Sequence, residues 1–274
     1  MDPFKYLQTK WIYGYHQPMT ALRRFELQKG SLLLLMGSGL GKTAMMIAKR
    51  TKCQVIGADL ISAFVDRANQ RAQEGGLADQ VRFVTVTAEQ PYLDVGADAI
   101  FFECILSFLK DPRDTLVYYA RKARPATKIG VLEPTLSSAM NVERVAASLK
   151  EIFGESADFR DSESWSRIFN EAGLVEIEAV TSPLGLTRKF FDDLREEPLG
   201  TLVDLSKTLY KVYTDSEAKE SMRLFRRFFK HSQEVACRRY TLQAARYPSP
   251  ESEESTRSGS RPRNRTHKVQ NPRS

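Results

Sequence analysis

The stretch Leu32 to Met46, LLLLMGSGLGKTAMM, constrains the fold more than any other part of the chain. Its unbroken apolar run reads as a strand covered on both faces, because a strand with one wet face would alternate apolar and polar residues. Gly37, Gly39 and Gly41 follow at once. Glycine adopts positive φ without a Cβ penalty, so this spacing suits a tight turn from strand into helix. Strand, glycine turn and helix together open a parallel α/β unit, and in such units ligands gather outside the carboxyl ends of the strands.

Two phosphate-binding readings of that turn fail on spacing. Gly41-Lys42-Thr43 ends like a triphosphate P-loop, but that loop needs four residues between its first glycine and the Gly-Lys pair so that successive amides curl round a phosphate. Gly37 leaves three, and Met36 stands where the glycine belongs. A dinucleotide fingerprint would put its third glycine at Lys42. What is left is a GxGxG turn, which serves either a nucleoside cofactor or the steric needs of a strand-to-helix connection.

The same alternation continues down the chain. Helix is expected from about Gly41 to Arg50, strand over Cys53 to Ala58, and a helix carrying Phe64, Val65, Ala68 and Ala72 that ends near Gly75-Gly76. Val81 to Val86 and Ala97 to Phe102 read as strands, Asp111 to Ala123 as a helix and Lys128 to Leu132 as a fifth strand, after which the pattern loosens beyond Pro134. Helices are expected over Glu143 to Phe153 and Ser162 to Ala172, then a strand over Val175 to Val180. From about Phe190 to Val235 the sequence is helical, with Leu202, Leu205, Leu209 and Val212 on one stripe and Met222, Phe225 and Phe229 on another, both expected to be core contacts. Tyr240 to Ala245 reads as a last strand, so the helical block is an insertion between two strands. The fold class is therefore α/β, a Rossmann-like, mainly parallel sheet with helices on both faces and a helical lid insertion.

Length and composition fit one such domain: 274 residues, 42% of them hydrophobic, supply a sizeable core. Residues 1–247 are expected to form it, with 1–30 as an N-terminal lid segment and 185–237 as the helical insertion. Part of the +7 net charge lies in residues 248–274, where six basic side chains stand against three acidic ones with almost no apolar residues to pack. This basic tail is expected to be disordered and solvated, with charge attraction to nucleic acid as the weaker alternative. The apolar runs are too short for a membrane span, Met1-Asp2-Pro3 opens no secretory signal, and Cys53, Cys104 and Cys237 lack metal-ligand spacing. A cytoplasmic protein with reduced thiols and no metal is expected; the sequence does not indicate its oligomeric state.

Asp59 decides between the readings of the glycine turn. It stops the second strand 20 residues beyond Gly39, where its carboxylate would meet the turn and accept hydrogen bonds from both hydroxyls of a ribose. The competing reading is a cap for the following helix. With Asp59 in place, the succession LLLLMGSGLGKTAMMIAKR, CQVIGADLISAFVDRA, VRFVTVTAEQ, ADAIFFECILSFL and IGVLEPTL resembles the class I S-adenosylmethionine-dependent methyltransferases, over roughly Phe4 to Pro248 and most specifically between Leu32 and Pro134. The small-molecule branch of the family is the nearest in pattern.

The resemblance implies a methyl transfer from S-adenosylmethionine to a small-molecule acceptor. It also implies that Gly37, Gly39 and Gly41 contact the methionine end, that Asp59 holds the ribose with Leu60 beside adenine, and that Thr87, Ala88, Glu89 and Glu103, with Cys104, border the adenine and the transferred methyl. Two positions depart from the family pattern. Leu35 stands where an acid usually precedes the loop, and Thr87 stands where an acid usually meets the adenine amino group. The turn after Pro125 also lacks the usual glycine pair. For proton removal from an acceptor the candidates are His16, Tyr15 and Tyr13 in the segment WIYGYHQPM, and Glu103 at the end of the fourth strand. Cys104 reads as an ordinary small residue. The alternatives are a noncatalytic binding or scaffold protein on the same fold, supported by Leu35 and Thr87, and an RNA-directed enzyme. The latter is supported by the tail and by Arg223, Arg226, Arg227 and Lys230.

Overall fold

The computed structural model describes residues 16–89, 96–124, 127–137, 157–183 and 235–244, with scattered helical positions between 145 and 226. Its strands are β1 (Leu32–Met36), β2 (Gln54–Asp59), β3 (Val81–Thr85), β4 (Ala99–Glu103), β5 (Lys128–Leu136), the short β6 (Arg160–Asp161), β7 (Leu174–Pro183) and β8 (Val235–Ala244). They form one sheet in the order β3-β2-β1-β4-β5-β8-β7, with β6 against the end of β5. The first five are parallel, and β8 runs antiparallel between β5 and β7. The mainly parallel, Rossmann-like sheet is thus present. Sequence order reverses between β1 and β4, which opens the crevice at their carboxyl ends where such sheets bind ligands.

Helices cover both faces. On one lie α1 (His16–Leu22), α2 (Lys42–Thr51) and α3 (Ser62–Glu74), where Leu22, Ile47, Ala48, Val65 and Ala72 pack on Leu33, Leu35, Phe101 and Leu132. On the other, α4 (Pro112–Lys122) and α5 (Ser162–Glu171) set Leu116, Tyr119, Trp165 and Phe169 on Leu34, Met36, Phe102 and Val131. The alternation of β1 side chains between the two clusters explains its unbroken apolar run: each face has its own helical layer. Helix ends follow local chemistry. The Asp111 carboxylate accepts from the Asp114 amide at 2.9 Å, with Pro112 in the first turn of α4, and Asp161 accepts from the Ser164 amide at 2.8 Å to start α5. Gly173, at φ 72°, follows α5 as the left-handed residue expected there.

Two expectations need correction. The fifth strand does not stop at Leu132 but runs on through Pro134 to Leu136, because β8 pairs along its whole length in unbroken register from Lys128↔Gln243 to Leu136↔Val235. A single missing N–H does not interrupt an antiparallel ladder in which only alternate residues exchange hydrogen bonds. The second concerns the stripe expected to join the core: Leu202 and Leu209 are 51% and 61% exposed. Neither belongs to the two core clusters that the described helices form with the sheet. Leu205, Val212, Phe225 and Phe229 lie outside the described residues, as do the tail 248–274, residues 1–15 and most of the helix expected over Glu143 to Phe153. Among described positions from 191 to 226 all but Asp215 are helical, and the block falls between β7 and β8, as an insertion between two strands. No helix of the described residues is long and apolar enough to cross a membrane.

Candidate cofactor site

The glycine turn closes onto the end of β2. The amides of Gly37 and Ser38 both donate to the Ala58 carbonyl, at 2.9 and 3.0 Å, and Gly41 donates back to the Ser38 carbonyl at 2.9 Å. The Gly39 amide donates to Asp59 Oδ2 at 2.8 Å, while Ile61 donates to Oδ1 at 3.0 Å. Both readings of Asp59 are therefore partly realised: its carboxylate orders the approach to α3 and also faces the turn 20 residues earlier. Burial pushes the Asp59 pKa up, opposed by the amides of Ile61, Gly39 and Leu60. Leu60 beside it is 67% exposed, an apolar side chain held in solvent at the mouth of the crevice.

Close approach explains two of the loop glycines. A Cβ on Gly37 would stand 2.6 Å from the Glu103 carbonyl oxygen, and one on Gly41 would stand 2.5 Å from the Phe83 ring. Phe83 is pinned by Asn69, whose Nδ2 donates to the Phe83 carbonyl at 3.1 Å and whose Oδ1 accepts from its amide at 3.0 Å. This aromatic floor also lies against Gly57, where a Cβ would come within 2.4 Å of the ring. Gly39 differs, since a Cβ there would meet nothing within 4 Å. The middle of the turn thus borders open space, while its two ends are packed.

On the other side of β1, Glu103 ends β4 with its carboxyl buried. Thr43, in the first turn of α2, donates its hydroxyl to Glu103 Oε2 at 2.8 Å, and Oε1 has no partner among the described residues. Burial pushes the Glu103 pKa well up. The Ser38 hydroxyl in the turn is likewise buried without a partner among the described residues. Next to it on β5, Glu133 brackets the turn after β4. Its Oε1 accepts from the Ile105 and Leu106 amides at 2.8 and 2.7 Å, and its Oε2 accepts from Ser107 Oγ at 2.8 Å. Burial raises its pKa to about 7 despite those donors. Cys104 holds φ 52° there, a left-handed backbone uncommon outside glycine, so it is not the ordinary position its sequence suggests.

The structure brings Gly37, Gly39, Gly41, Asp59, Leu60 and Glu103 to one crevice. Thr87, Ala88 and Glu89 follow β3, anchored where Val86 donates to the Asp59 carbonyl at 3.0 Å. Ala88 is buried in the apolar cluster, and Glu89 accepts from the Lys110 amide at 2.8 Å, which draws its carboxylate toward the chain after β4. Tyr13 and Tyr15 lie outside the described residues, and so does the side chain of His16, although its backbone begins α1. Sequence reasoning missed Thr43, Ser38, Phe83 and Glu133. Only Thr43 carried a signal, as the end of GKT, and its partner sits 60 residues away.

Residues 34–129 match a family model described as a methyltransferase domain. Among curated proteins the chain is similar to the tRNA 5-carboxymethoxyuridine methyltransferase of Escherichia coli, strain K12: 33% identical over 98 residues, which is 35% of this chain and 37% of that one. The chain thus spans little more than a third of that relative. Among solved structures it is similar to Haemonchus contortus phosphoethanolamine N-methyltransferase 2 in complex with S-adenosyl-L-methionine, with a TM-score of 0.68 and 18% identity over 89% of this chain and 57% of that one. A Thiobacillus denitrificans S-adenosylmethionine-dependent methyltransferase in complex with S-adenosyl-L-homocysteine gives a TM-score of 0.65 and 19% identity over 89% and 100%. At such identities the structural likeness is one of fold. The domain match runs from β1 to the first residues of β5, the part of the sheet whose strand ends build the crevice, and over it the chain is similar to a methyltransferase domain.

Proposed function

We propose that the chain transfers a methyl group from S-adenosylmethionine to a small-molecule acceptor. The observation that carries this reading is the pairing of the Gly39 amide with Asp59 Oδ2, which sets a carboxylate and an open backbone turn on the two walls of one crevice. S-adenosylmethionine supplies a methyl on a sulfonium, which an acceptor nucleophile displaces in line. The protein's share is alignment. Each Asp59 oxygen accepts one amide and keeps lone-pair capacity for a ribose hydroxyl. Leu60 offers apolar surface to adenine, and Thr87 to Glu89 close that end. Gly39 leaves room for the methionine end, with the Ser38 hydroxyl and the Glu103 carboxyl buried beside the turn.

A small-molecule acceptor is favoured by the aromatic segment WIYGYHQPM within residues 1–30 and by the helical insertion, expected over 185–237 but ending before β8 at Val235, which together are suited to enclose a pocket in a domain spanning 1–247. Tyr15 and His16, or Glu103, would take the proton of a protonated acceptor. Calorimetric titration with S-adenosylmethionine and S-adenosylhomocysteine tests the cofactor; heat from MgATP alone would overturn it. An RNA acceptor is the second reading, motivated by the relative named as a tRNA methyltransferase and by the basic residues of 248–274. It requires a salt-sensitive RNA complex that weakens when that tail is deleted.

A further inference from the structure

A second cleft lies toward the other edge of the sheet, over β7 and β8. Its inner wall is set by the single 3₁₀ turn Arg23–Phe25 that follows α1. Leu22 and Phe25 are buried, and the Phe25 ring lies so close to Gly130 of β5 that a Cβ there would stand 2.4 Å from it. Between those two anchors Arg23 and Arg24 are left exposed. Lys128 ties the turn down from β5, donating to the Arg24 carbonyl at 2.7 Å and to Glu26 Oε2 at 3.2 Å, which engages the nearby Glu26 carboxylate. On β8, Tyr240 and Leu242 enter the cluster under α4 and α5, so alternation turns Arg239 and Thr241 toward α1. Glu178, the β7 partner of Thr241, gives both of its oxygens to Arg24, which donates from Nε to Oε2 at 3.1 Å and from Nη2 to Oε1 at 3.0 Å. The hydrogen bond from Arg24, helped by the charge of Arg239, holds the Glu178 carboxyl below its ordinary range. The cleft so formed has a volume of about 410 Å³, and no residue of the cofactor crevice lines it.

We propose that this cleft is a second ligand site, for a phosphate group, and it stands whether or not the methyl-transfer reading does. Arg23, Arg24 and Arg239 face the one carboxylate of Glu178, a surplus of two positive charges in a concave wall. A carboxylate fills one guanidinium fork, as Glu178 fills that of Arg24. A phosphate brings more oxygens and up to two negative charges, enough for the remaining forks, whose planar donors match its geometry. The volume falls within the range of about 300–1,000 Å³ usual for small-ligand sites. Such a phosphate comes from a free phosphate ester or from a nucleic-acid backbone, which a contact away from the reacting base would position without reading sequence. Glu178 then acts as an internal anion that competes with the ligand for Arg24.

The test compares the full chain with Arg23→Gln/Arg24→Gln and with Glu178→Gln. Pyrophosphate is titrated by calorimetry, and a fluorescein-labelled oligouridylate by anisotropy. The ion pair broken by these changes is exposed and contributes little to stability, so urea midpoints should match. The basic tail is the same in all three chains, so differences between them report on the cleft. The double variant is expected to weaken the phosphate ligand by about 10- to 100-fold, and Glu178→Gln to tighten it severalfold. Loss of fold would weaken binding in both, so the opposite signs are the signature of the site. Arginine-dependent binding of pyrophosphate supports the site and assigns it to a free phosphate ester; arginine-dependent binding of the oligouridylate without pyrophosphate heat supports it as a backbone contact. Equal binding by all three chains, binding of neither probe, or an affinity that Glu178→Gln does not raise overturns the proposal.

Discussion

From β3 across to β4 every strand is parallel to its neighbour and short, and each ends at the crevice. From β5 to β7 the strands are nine or ten residues long and pair antiparallel through β8. The first half is held by turns: glycines pressed against Phe83 and Glu103, and one carboxylate reaching across to a backbone amide. The second half is held by ladders and by aromatic packing, with Trp165 stacked on Phe169 and Phe169 edge-on to Tyr240. The proposed cofactor-binding groups are concentrated in the half held by turns. Changes there should read out in cofactor affinity, and changes in the core of the other half in stability alone.

The strongest test of that division is Trp165→Ala. The ring is fully buried, and its removal leaves a cavity that should cost about 3–5 kcal/mol by urea unfolding. The folded fraction should bind S-adenosylhomocysteine with wild-type affinity. Gly41→Ala comes next. The new methyl would press on the Phe83 ring and on Ala68, at a residue with φ 79°, so overpacking of about 1–3 kcal/mol adds to about 1–2 kcal/mol of left-handed strain. Unlike the first variant it should also abolish measurable cofactor binding. Wild-type affinity in folded Gly41→Ala would erase the contrast between the halves.

Glu133 stands at the seam, on the first strand of the ladder half but bonded to the turn of the crevice half. Its folded pKa of about 7 lies above its ordinary 4.5, so the folded state holds the proton more tightly than the unfolded. The stabilising contribution is complete below pH 4.5 and is lost as pH rises through 7, roughly 3 kcal/mol over the window. Glu133→Gln should remove that component, so its stability relative to wild type should rise between pH 4.5 and 7. Parallel pH profiles would mean that Glu133 does not titrate there.

The same division governs how much the sequence reveals. LLLLM, QVIGAD and AIFFE show themselves as buried strands because each face has its helix, and Gly39 and Asp59 show themselves as partners because a turn and a strand end meet at the crevice in any parallel sheet. The passage of β5 through Pro134 was hidden, since it depends on β8, a hundred residues later in the chain. Hidden too were Thr43 with Glu103, and Glu133 with the Ile105 to Ser107 turn. Each is a polar pair made only once neighbouring elements are assembled. The exposed Leu202 and Leu209 misled because helical periodicity reports an apolar stripe without saying whether a core remains to receive it.

Asp59→Asn should show the complementary behaviour to Trp165→Ala. Asparagine keeps one carbonyl oxygen for the Gly39 amide but loses the charge, and a lost charged hydrogen bond costs about 1.5–3 kcal/mol, or roughly 10- to 100-fold in affinity for S-adenosylhomocysteine. The nitrogen that replaces Oδ1 cannot accept from the Ile61 amide, so stability by urea unfolding should also fall, by about 1–3 kcal/mol and less than in Trp165→Ala. A loss confined to stability would place Asp59 with the helix-entry reading.

The smallest effect belongs to the start of α5, in the ladder half. Asp161 accepts from the Ser164 amide at 2.8 Å, and that bond holds its carboxyl below the ordinary range. A lowered folded pKa contributes stability that is present above the unfolded value, about 3.9, and is lost as pH falls through the folded one. Asp161→Ala removes the cap and should cost about 1 kcal/mol at pH 7, within the range for N-cap deletions. The difference from wild type should shrink as the pH is lowered past 4, since both chains then lack the charged cap. Because α5 packs on the face away from α2 and α3, the variant should bind S-adenosylhomocysteine as wild type does. A weakened ligand here, far from the crevice and with the fold intact, would show that the two halves are coupled through β5 and its Glu133 bracket rather than built side by side.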